Sequence, residues 1–279
     1  MKVAVCLIVR DEEKDILEWI SYYNLIGFDC QIIFDNKSSD KTAGIIKKAS
    51  EKINIIYNYF PHDRHHCQNA AYEEAIQRYR NDFDWIAFFD SDEFFSINDG
   101  TPLKVWLADF EAASAIGVNW AIYGSSGHED YPPGLVTENF LRRAPQNFGD
   151  NKHVKSIVRP ERVRRCLNPH AFELENMWSD GYRDTANRKI EWLVLPETGT
   201  LLPGVVSGDA DWSTARVNHY FTRSFAHWKR KLERGYFDEE ALRKIEQFKH
   251  FDRNEILDES MKKYSTYISR KISELENLF

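Results

Sequence analysis

A chain of 279 residues that is 42% hydrophobic suits one large α/β domain, or one domain with an appendage. Its net charge of −7 argues against nucleic-acid partners, and no apolar run approaches the roughly 18 residues of a membrane span. The four cysteines, Cys6, Cys30, Cys67 and Cys166, are far apart and form no CxxC pair, which points to reduced thiols in a cytoplasmic setting and not to a disulfide frame or a zinc site.

Lys2 to Val9 reads as the first strand. It is too short for a signal peptide, and the charged run Arg10-Asp11-Glu12-Glu13 follows it with no cleavage site. A helix over 14–25 places Ile16, Leu17, Ile20 and Tyr23 at helical spacing, and Gly27 stops it. A strand over 31–34 ends in the polar turn Asp35-Asn36-Lys37-Ser38-Ser39-Asp40. A helix over 42–52, a strand over 53–57, a polar loop over 62–66 and a helix over 68–80 follow, and then a buried strand over 85–89. Strand and helix thus alternate four times in the first hundred residues, the pattern of a doubly wound, mostly parallel sheet of nucleotide-binding type. Neither a GxGxxG fingerprint nor a P-loop is present.

The strand Trp85-Ile86-Ala87-Phe88-Phe89 ends abruptly in Asp90, Asp92 and Glu93. The C-terminal ends of buried strands are where open α/β sheets bind ligands. In extended chain Asp90 and Asp92 share a face, with Ser91 turned away. Two close carboxylates repel unless a cation or a proton lies between them, and Mg²⁺ or Mn²⁺ accepts such hard oxygen ligands. A solvated acidic turn is the plain alternative.

Beyond Gly100 the sequence predicts a helix over 102–112, a strand over 115–123 and a strand over 154–158. Gly124-Ser125-Ser126-Gly127-His128-Glu129-Asp130 is a flexible turn after the second of these elements. The stretch 166–213 reads as irregular, with short strands such as 190–195, and suits a substrate-facing lobe. Helices with charged faces fill the remainder, the last over 254–278. The division expected is a domain over 1–235, made of a nucleotide-binding half (1–100) and an acceptor half (101–235), with a C-terminal helical extension over 236–279. Aromatic residues make up 14% of the chain, a surplus that sugar-handling proteins use for stacking and large cores use for packing.

Four features in order carry a family resemblance. They are Val9-Arg10-Asp11-Glu12 with Leu17-Glu18-Trp19-Ile20, then Asp35 to Thr42, then Asp90-Ser91-Asp92-Glu93-Phe94, and finally Asn218-His219-Tyr220. Together they resemble the GT-A fold glycosyltransferases, a family-two-like branch close to the family ninety-two group. The likeness continues through Lys155 to Pro160 and Pro169 to Phe172. It implies that Val9, Arg10 and the Asp35 turn hold the nucleotide of a nucleotide-sugar, most readily a UDP-sugar. Asp11 stands where the family usually has Asn, so Asp35 is preferred as the base or ribose contact. The resemblance further implies that Asp90 and Asp92 hold a divalent metal, Mn²⁺ or Mg²⁺, on the diphosphate, with Ser91 beside it and His219 as a further metal or phosphate contact. Among Arg223, Lys229, Arg230 and Lys231, Lys229 is taken as the candidate phosphate contact, against a solvated basic face.

Departure of a nucleoside diphosphate leaves growing negative charge, which a cation between two carboxylates and the phosphates offsets. An inverting transfer to a glycan or glycoconjugate acceptor also needs a base on the opposite face of the sugar. Glu129 and Asp130 are preferred for it over Asp180 and Asp184, because Arg183 is placed to hold one of the latter pair. His128 and His170 read as site-lining or structural, and Trp178, Tyr182 and Trp212 as stacking platforms or core. Competing readings are a nucleotidyltransferase, whose usual Gly-rich basic loop is missing after the first strand, and a catalytically silent carbohydrate-binding relative. A cytoplasmic location, with room for peripheral contact with a membrane, completes the expectation.

Overall fold

The computed structural model describes residues 1–62, 67–175, 181–234 and 244–277. Its first half alternates as the sequence pattern demands: β1 (Val3–Val9), α1 (Ile16–Leu25), β2 (Cys30–Asp35), α2 (Thr42–Ala49), β3 (Ile55–Tyr59), α3 (Cys67–Tyr79) and β4 (Trp85–Phe88). In place of a further helix, β5 (Glu93–Ile97) follows directly, and then α4 (Leu103–Ala108) and β6 (Ala115–Ile122). Next come α5 (Val136–Asn139), β7 (Arg142–Arg143), β8 (Val154–Val158), β9 (Val163–Asn168), β10 (Ala171–Leu174), β11 (Tyr182–Arg183), β12 (Trp192–Val194), β13 (Leu201–Val206) and β14 (Ala215–His219). The chain closes with α6 (Phe225–Arg234), α7 (Ile245–Phe251), β15 (Ile256–Leu257) and α8 (Ser265–Glu276).

The central sheet runs β3-β2-β1-β4-β8-β6-β14-β5, with β11 added beside β6. β3, β2, β1 and β4 are parallel, as right-handed strand–helix–strand units require. β8 enters antiparallel between β4 and β6, and β5 is antiparallel to β14. Both sheet faces are covered, so β1, β2, β4 and β8 are buried along their whole length and read as continuous apolar runs. One face packs residues of α1, α2, α4 and α8, and the other packs α3 and the β9–β10 hairpin.

Helix α1 shows how the sequence sets this packing. Ile16, Trp19, Ile20 and Tyr23 recur at helical spacing and are fully buried. Gly27, at φ +101°, ends it in the left-handed conformation that glycine takes without a Cβ penalty. Asp15 stands at the N-cap yet makes no capping bond; its carboxylate pairs with Arg223 from the far end of the chain.

Two expectations are corrected. The single last helix over 254–278 is divided, because Asp258 is drawn into the core edge: its N–H donates to the Leu141 carbonyl and its carboxylate bridges Arg143 and Arg216, at 2.6 and 2.7 Å. β15 therefore pairs with β7, and only α8 is regular helix, with Ile268 and Leu275 buried in the main core beside Met261. Met261, Ile268 and Leu275 thus share one core with the buried residues of α1, α2 and α4. The stretch 166–213 is likewise more ordered than its Gly and Pro content suggested, since it holds the β9–β10 and β12–β13 hairpins. No described helix is long and apolar enough to cross a membrane.

Candidate active site

β4 delivers Asp90 to the end of the sheet, and the chain then turns sharply. The Glu93 N–H donates to the Asp90 carbonyl at 3.1 Å, and the Asp90 N–H donates to Glu93 Oε2 at 2.8 Å. Residues 90–93 are therefore a turn and not extended chain, and the shared face expected for Asp90 and Asp92 does not form. Asp90 turns toward α3 and β8: Gln68 and Tyr72 donate to Oδ1 at 2.6 and 3.1 Å, and Lys155 Nζ lies 3.0 Å from Oδ2. Asp92 turns toward the C-terminal half, with Lys231 Nζ 2.6 Å from Oδ2 and His219 Nε2 3.4 Å from Oδ1. Strand register explains the last contact, because His219 on β14 pairs with Glu93 on β5.

Each acid thus meets an ammonium group. Lys155 is fully buried and also lies 3.5 Å from Glu93 Oε2, itself fully buried. Burial works against the Lys155 charge, but Asp90 and Glu93 outweigh it and raise its pKa. Burial alone would raise Asp92; Lys231 and His219 overcome this and hold it well below the usual carboxylate range. Burial also lowers the His219 pKa against the pull of Asp92, which favours the neutral ring. His219 Nδ1 is buried without a hydrogen-bond partner and lies 4.0 Å from Glu93 Oε1. The Trp120 indole donates to that same Glu93 oxygen at 2.8 Å, and His153, His170 and His219 surround the indole with ring centroids 4.9, 5.0 and 4.4 Å away.

The nucleotide side is built from the loops after β1 and β2. The Val9 carbonyl accepts from the Asn36 N–H at 2.9 Å. Asp35 is buried; its Oδ1 accepts from the Ser38 N–H at 3.0 Å and its Oδ2 from the Tyr57 hydroxyl at 2.8 Å. Both its oxygens therefore serve the turn. Asp11, at φ +53°, accepts from the Ser39 N–H and hydroxyl at 2.7 and 3.1 Å and so ties the two loops together. Arg10 is exposed beside it, 3.7 Å from the Asp11 carboxylate. Arg223 is a further hub: nearly fully buried at φ +49°, it pairs with Glu12 and Asp15 and donates to the Ser91 carbonyl at 3.2 Å. Left-handed backbone in a buried arginine is the kind of strain that surrounding contacts must hold in place.

The remaining candidates fall elsewhere. Lys229 is exposed and lies over the Phe225 ring at 4.8 Å; the lysine of α6 that meets the acids is Lys231, two residues on. Glu129 and Asp130 are exposed, and the His128 and Glu129 carbonyls accept from the Phe225 and Ala226 N–H groups at the start of α6. Asp184 is held by Arg188 at 2.8 Å. Asp180 and Trp178 lie outside the described residues. Tyr182 is core, hydrogen-bonded to Ser156, and the Trp212 indole donates to the Trp120 carbonyl. Among the described residues, no three His, Cys, Asp or Glu side chains converge as a preformed metal cluster.

Comparison with known proteins follows the same line. The family model "Glycosyltransferase family 92" matches residues 1–276. A family 92 protein of Ricinus communis is 28% identical over 189 residues, covering 65% of this chain and 32% of that protein. One from Oryza sativa is 29% identical over 185 residues, covering 62% of this chain and 30% of that protein. The chain thus spans about a third of the length of these curated relatives. Among solved structures, S. aureus TarS 1-349 aligns over 57% of this chain and 47% of that chain at 16% identity and a TM-score of 0.38. A glucosyl-3-phosphoglycerate synthase from Mycobacterium tuberculosis, crystallised with Mn²⁺ and UDP-glucose, aligns over 43% of each chain at 20% identity and a TM-score of 0.31. With the family model matched along nearly its whole length, this chain, a mixed α/β fold, belongs to glycosyltransferase family 92.

Proposed function

We propose that this chain transfers a sugar from a nucleotide-sugar, a UDP-sugar by preference, to a hydroxyl of a glycan or glycoconjugate, with inversion and with a divalent cation. The observation that carries the reading is the cluster at the end of β4, where Asp90, Asp92 and His219 stand among Lys155, Lys231 and Arg223. Such a site holds both the hard ligands for a cation and the fixed positive charge that a diphosphate needs.

By residue type two carboxylates and an imidazole suit Mn²⁺ or Mg²⁺, but Asp90 and Asp92 turn to different sides and would have to swing together around the ion. Asp90 is 31% exposed, so its carboxylate is reachable, and His219 Nε2 already faces Asp92 at 3.4 Å. Asp90, Asp92 and His219 would hold the ion, and Lys231 would then yield its place on Asp92. When bound, the ion supplies Lewis-acid neutralisation of the departing diphosphate. The chain's own residues do the rest. Val9, Arg10 and the turn around Asp35 shape the nucleotide side, and the Asp35 side chain acts there by holding the turn. Arg223 fixes the loop after β1 against the turn at Ser91, which sets the distance between nucleotide and acids. Lys231, once off Asp92, has its ammonium group beside the place where charge develops. Glu129 and Asp130, exposed beside the start of α6, are one candidate pair for taking the acceptor's proton.

A panel of nucleotide-sugars tests the reading. With Mn²⁺ present, thermal unfolding should shift upward for UDP and at least one UDP-sugar, and that donor should slowly release UDP. Pyrophosphate release from a nucleoside triphosphate and a sugar phosphate would instead mark a nucleotidyltransferase, and glycan binding with no turnover a silent relative.

A further inference from the structure

Beside the acid cluster, the structure builds a wall that the donor site does not use. Trp120 is half-buried, and its indole N–H is fixed by Glu93. The His153 ring stacks on it at 25° between planes, and the His170 ring meets it edge-on at 73°. The two imidazole centroids are 5.4 Å apart.

Both histidines have their tautomer set by the backbone. His170 Nδ1 lies 3.0 Å from the Val154 carbonyl, and His153 Nδ1 lies 3.0 Å from the Asp150 carbonyl. A carbonyl only accepts, so each Nδ1 carries a proton, and it is Nε2 that holds the lone pair whenever the ring is neutral. Both histidines are half-buried, and among the described residues no protein partner meets either Nε2. His170 is the more firmly placed of the two. Its N–H donates to Asn168 Oδ1 at 2.8 Å and its carbonyl accepts from Ser156 Oγ at 2.6 Å. Gly204 presses on it so closely that an added Cβ would stand 2.4 Å from the His170 Cβ. Burial, Lys155 and His153 all favour the neutral ring.

We infer that Trp120, His153 and His170 line the acceptor subsite and that His170 is the general base of the transfer. The inference rests on the glycosyl-transfer reading above. The acceptor O–H proton passes to His170 Nε2 while the oxygen's electron pair forms the bond to the anomeric carbon. The bond from that carbon to the diphosphate oxygen breaks, and its electron pair leaves with UDP. The imidazolium then returns its proton to solvent. Trp120 and His153 act as positioning residues, an aromatic face and edge against which a pyranose lies.

The test uses UDP release from UDP-sugars in Mn²⁺, with water or added monosaccharides as acceptor, and UDP affinity measured separately by calorimetry. His170→Asn keeps a donor for the Val154 carbonyl and loses only the basic nitrogen. It should slow UDP release by roughly 100-fold or more while UDP affinity stays within about twofold, and added imidazole should restore part of the rate. A His170→Asn enzyme at the wild-type rate, or one whose loss is wholly in UDP affinity, overturns the assignment. So does a loss confined to Glu129→Gln or Asp130→Asn. If His170→Asn fails to fold, diethyl pyrocarbonate on the wild type replaces it: acylation of His170 should track loss of UDP release, and full activity with His170 acylated refutes the role. A wild type that releases UDP from no donor, with any acceptor, overturns the donor reading itself and this inference with it.

Discussion

Replacing Lys155 by Met keeps the volume of a buried side chain and removes its charge. Lys155 stands 3.0 Å from Asp90 and 3.5 Å from Glu93. At an effective dielectric constant of about 20, these attractions are gross terms of about 5.5 and 4.7 kcal/mol. Desolvation of the ions offsets most of that, and the measured cost of breaking one side of a buried pair is about 3–5 kcal/mol, because a charge is left uncompensated. Asp90 is partly exposed and regains water, which favours the lower end; Glu93 is fully buried and does not. For a domain of this size, with about 2 °C of melting temperature per kcal/mol, Lys155→Met should lower the midpoint by roughly 6–10 °C. Scanning calorimetry reads this directly. Burial pushes the Glu93 pKa well up, and without Lys155 the group takes a proton; Glu93→Gln supplies that neutral form while keeping an acceptor for Trp120, so the double variant should recover part of the loss. A single-variant shift below about 2 °C, or a double variant with strictly additive losses, would refute the idea that Lys155 is the counter-ion of this turn.

Three further outcomes follow from the same structure. Glu18 caps α5, accepting from the Val136 and Thr137 N–H groups and the Thr137 hydroxyl, and burial raises its pKa from 4.5 to about 7. The folded state then holds this proton more tightly than the unfolded chain. Its contribution is full below about pH 4.5 and is lost, to the extent of about 3 kcal/mol, as pH rises through about 7; urea melts should show this slope and Glu18→Gln should flatten it. Gly204→Ala, at φ +98° and against His170, should destabilise by at least about 1 kcal/mol and lower UDP release, read by denaturation and by the donor assay. Lys231→Met removes the ammonium that competes for Asp92, so the affinity for Mn²⁺ alone should rise by about tenfold, roughly 1.4 kcal/mol, in calorimetry; unchanged affinity would separate Lys231 from the ion's place.

The parallel half of the sheet could be read from sequence because β1, β2 and β4 are buried on both faces, with only the edge strand β3 part-exposed, and each helix carries a plain apolar stripe. Gly27, Asp35 and the acids after Phe89 mark element ends by local chemistry, and those marks fall where the structure has them. What sequence could not show is what depends on register and on distant segments. The 90–93 turn is closed by Glu93's own side chain, so a spacing of two residues gave the wrong geometry for Asp90 and Asp92. Lys155 reaches them only because β8 runs antiparallel beside β4. Lys231 was one of three neighbouring basic residues on α6, and only the helix phase relative to Asp92 separates it from exposed Lys229. The Trp120 wall draws on β6, β8 and the β9–β10 turn, and none of its residues forms a local motif.

On the proposed reading, the acids at the end of β4 hold a cation against a nucleoside diphosphate. Calorimetric titration of UDP into the wild type and Asp92→Asn, each with Mn²⁺ and with EDTA, tests it most directly. The wild type should bind UDP in Mn²⁺ and lose at least about tenfold in affinity in EDTA, while Asp92→Asn should bind weakly in both and retain its fold. Equal UDP affinity in all four titrations would contradict the claim.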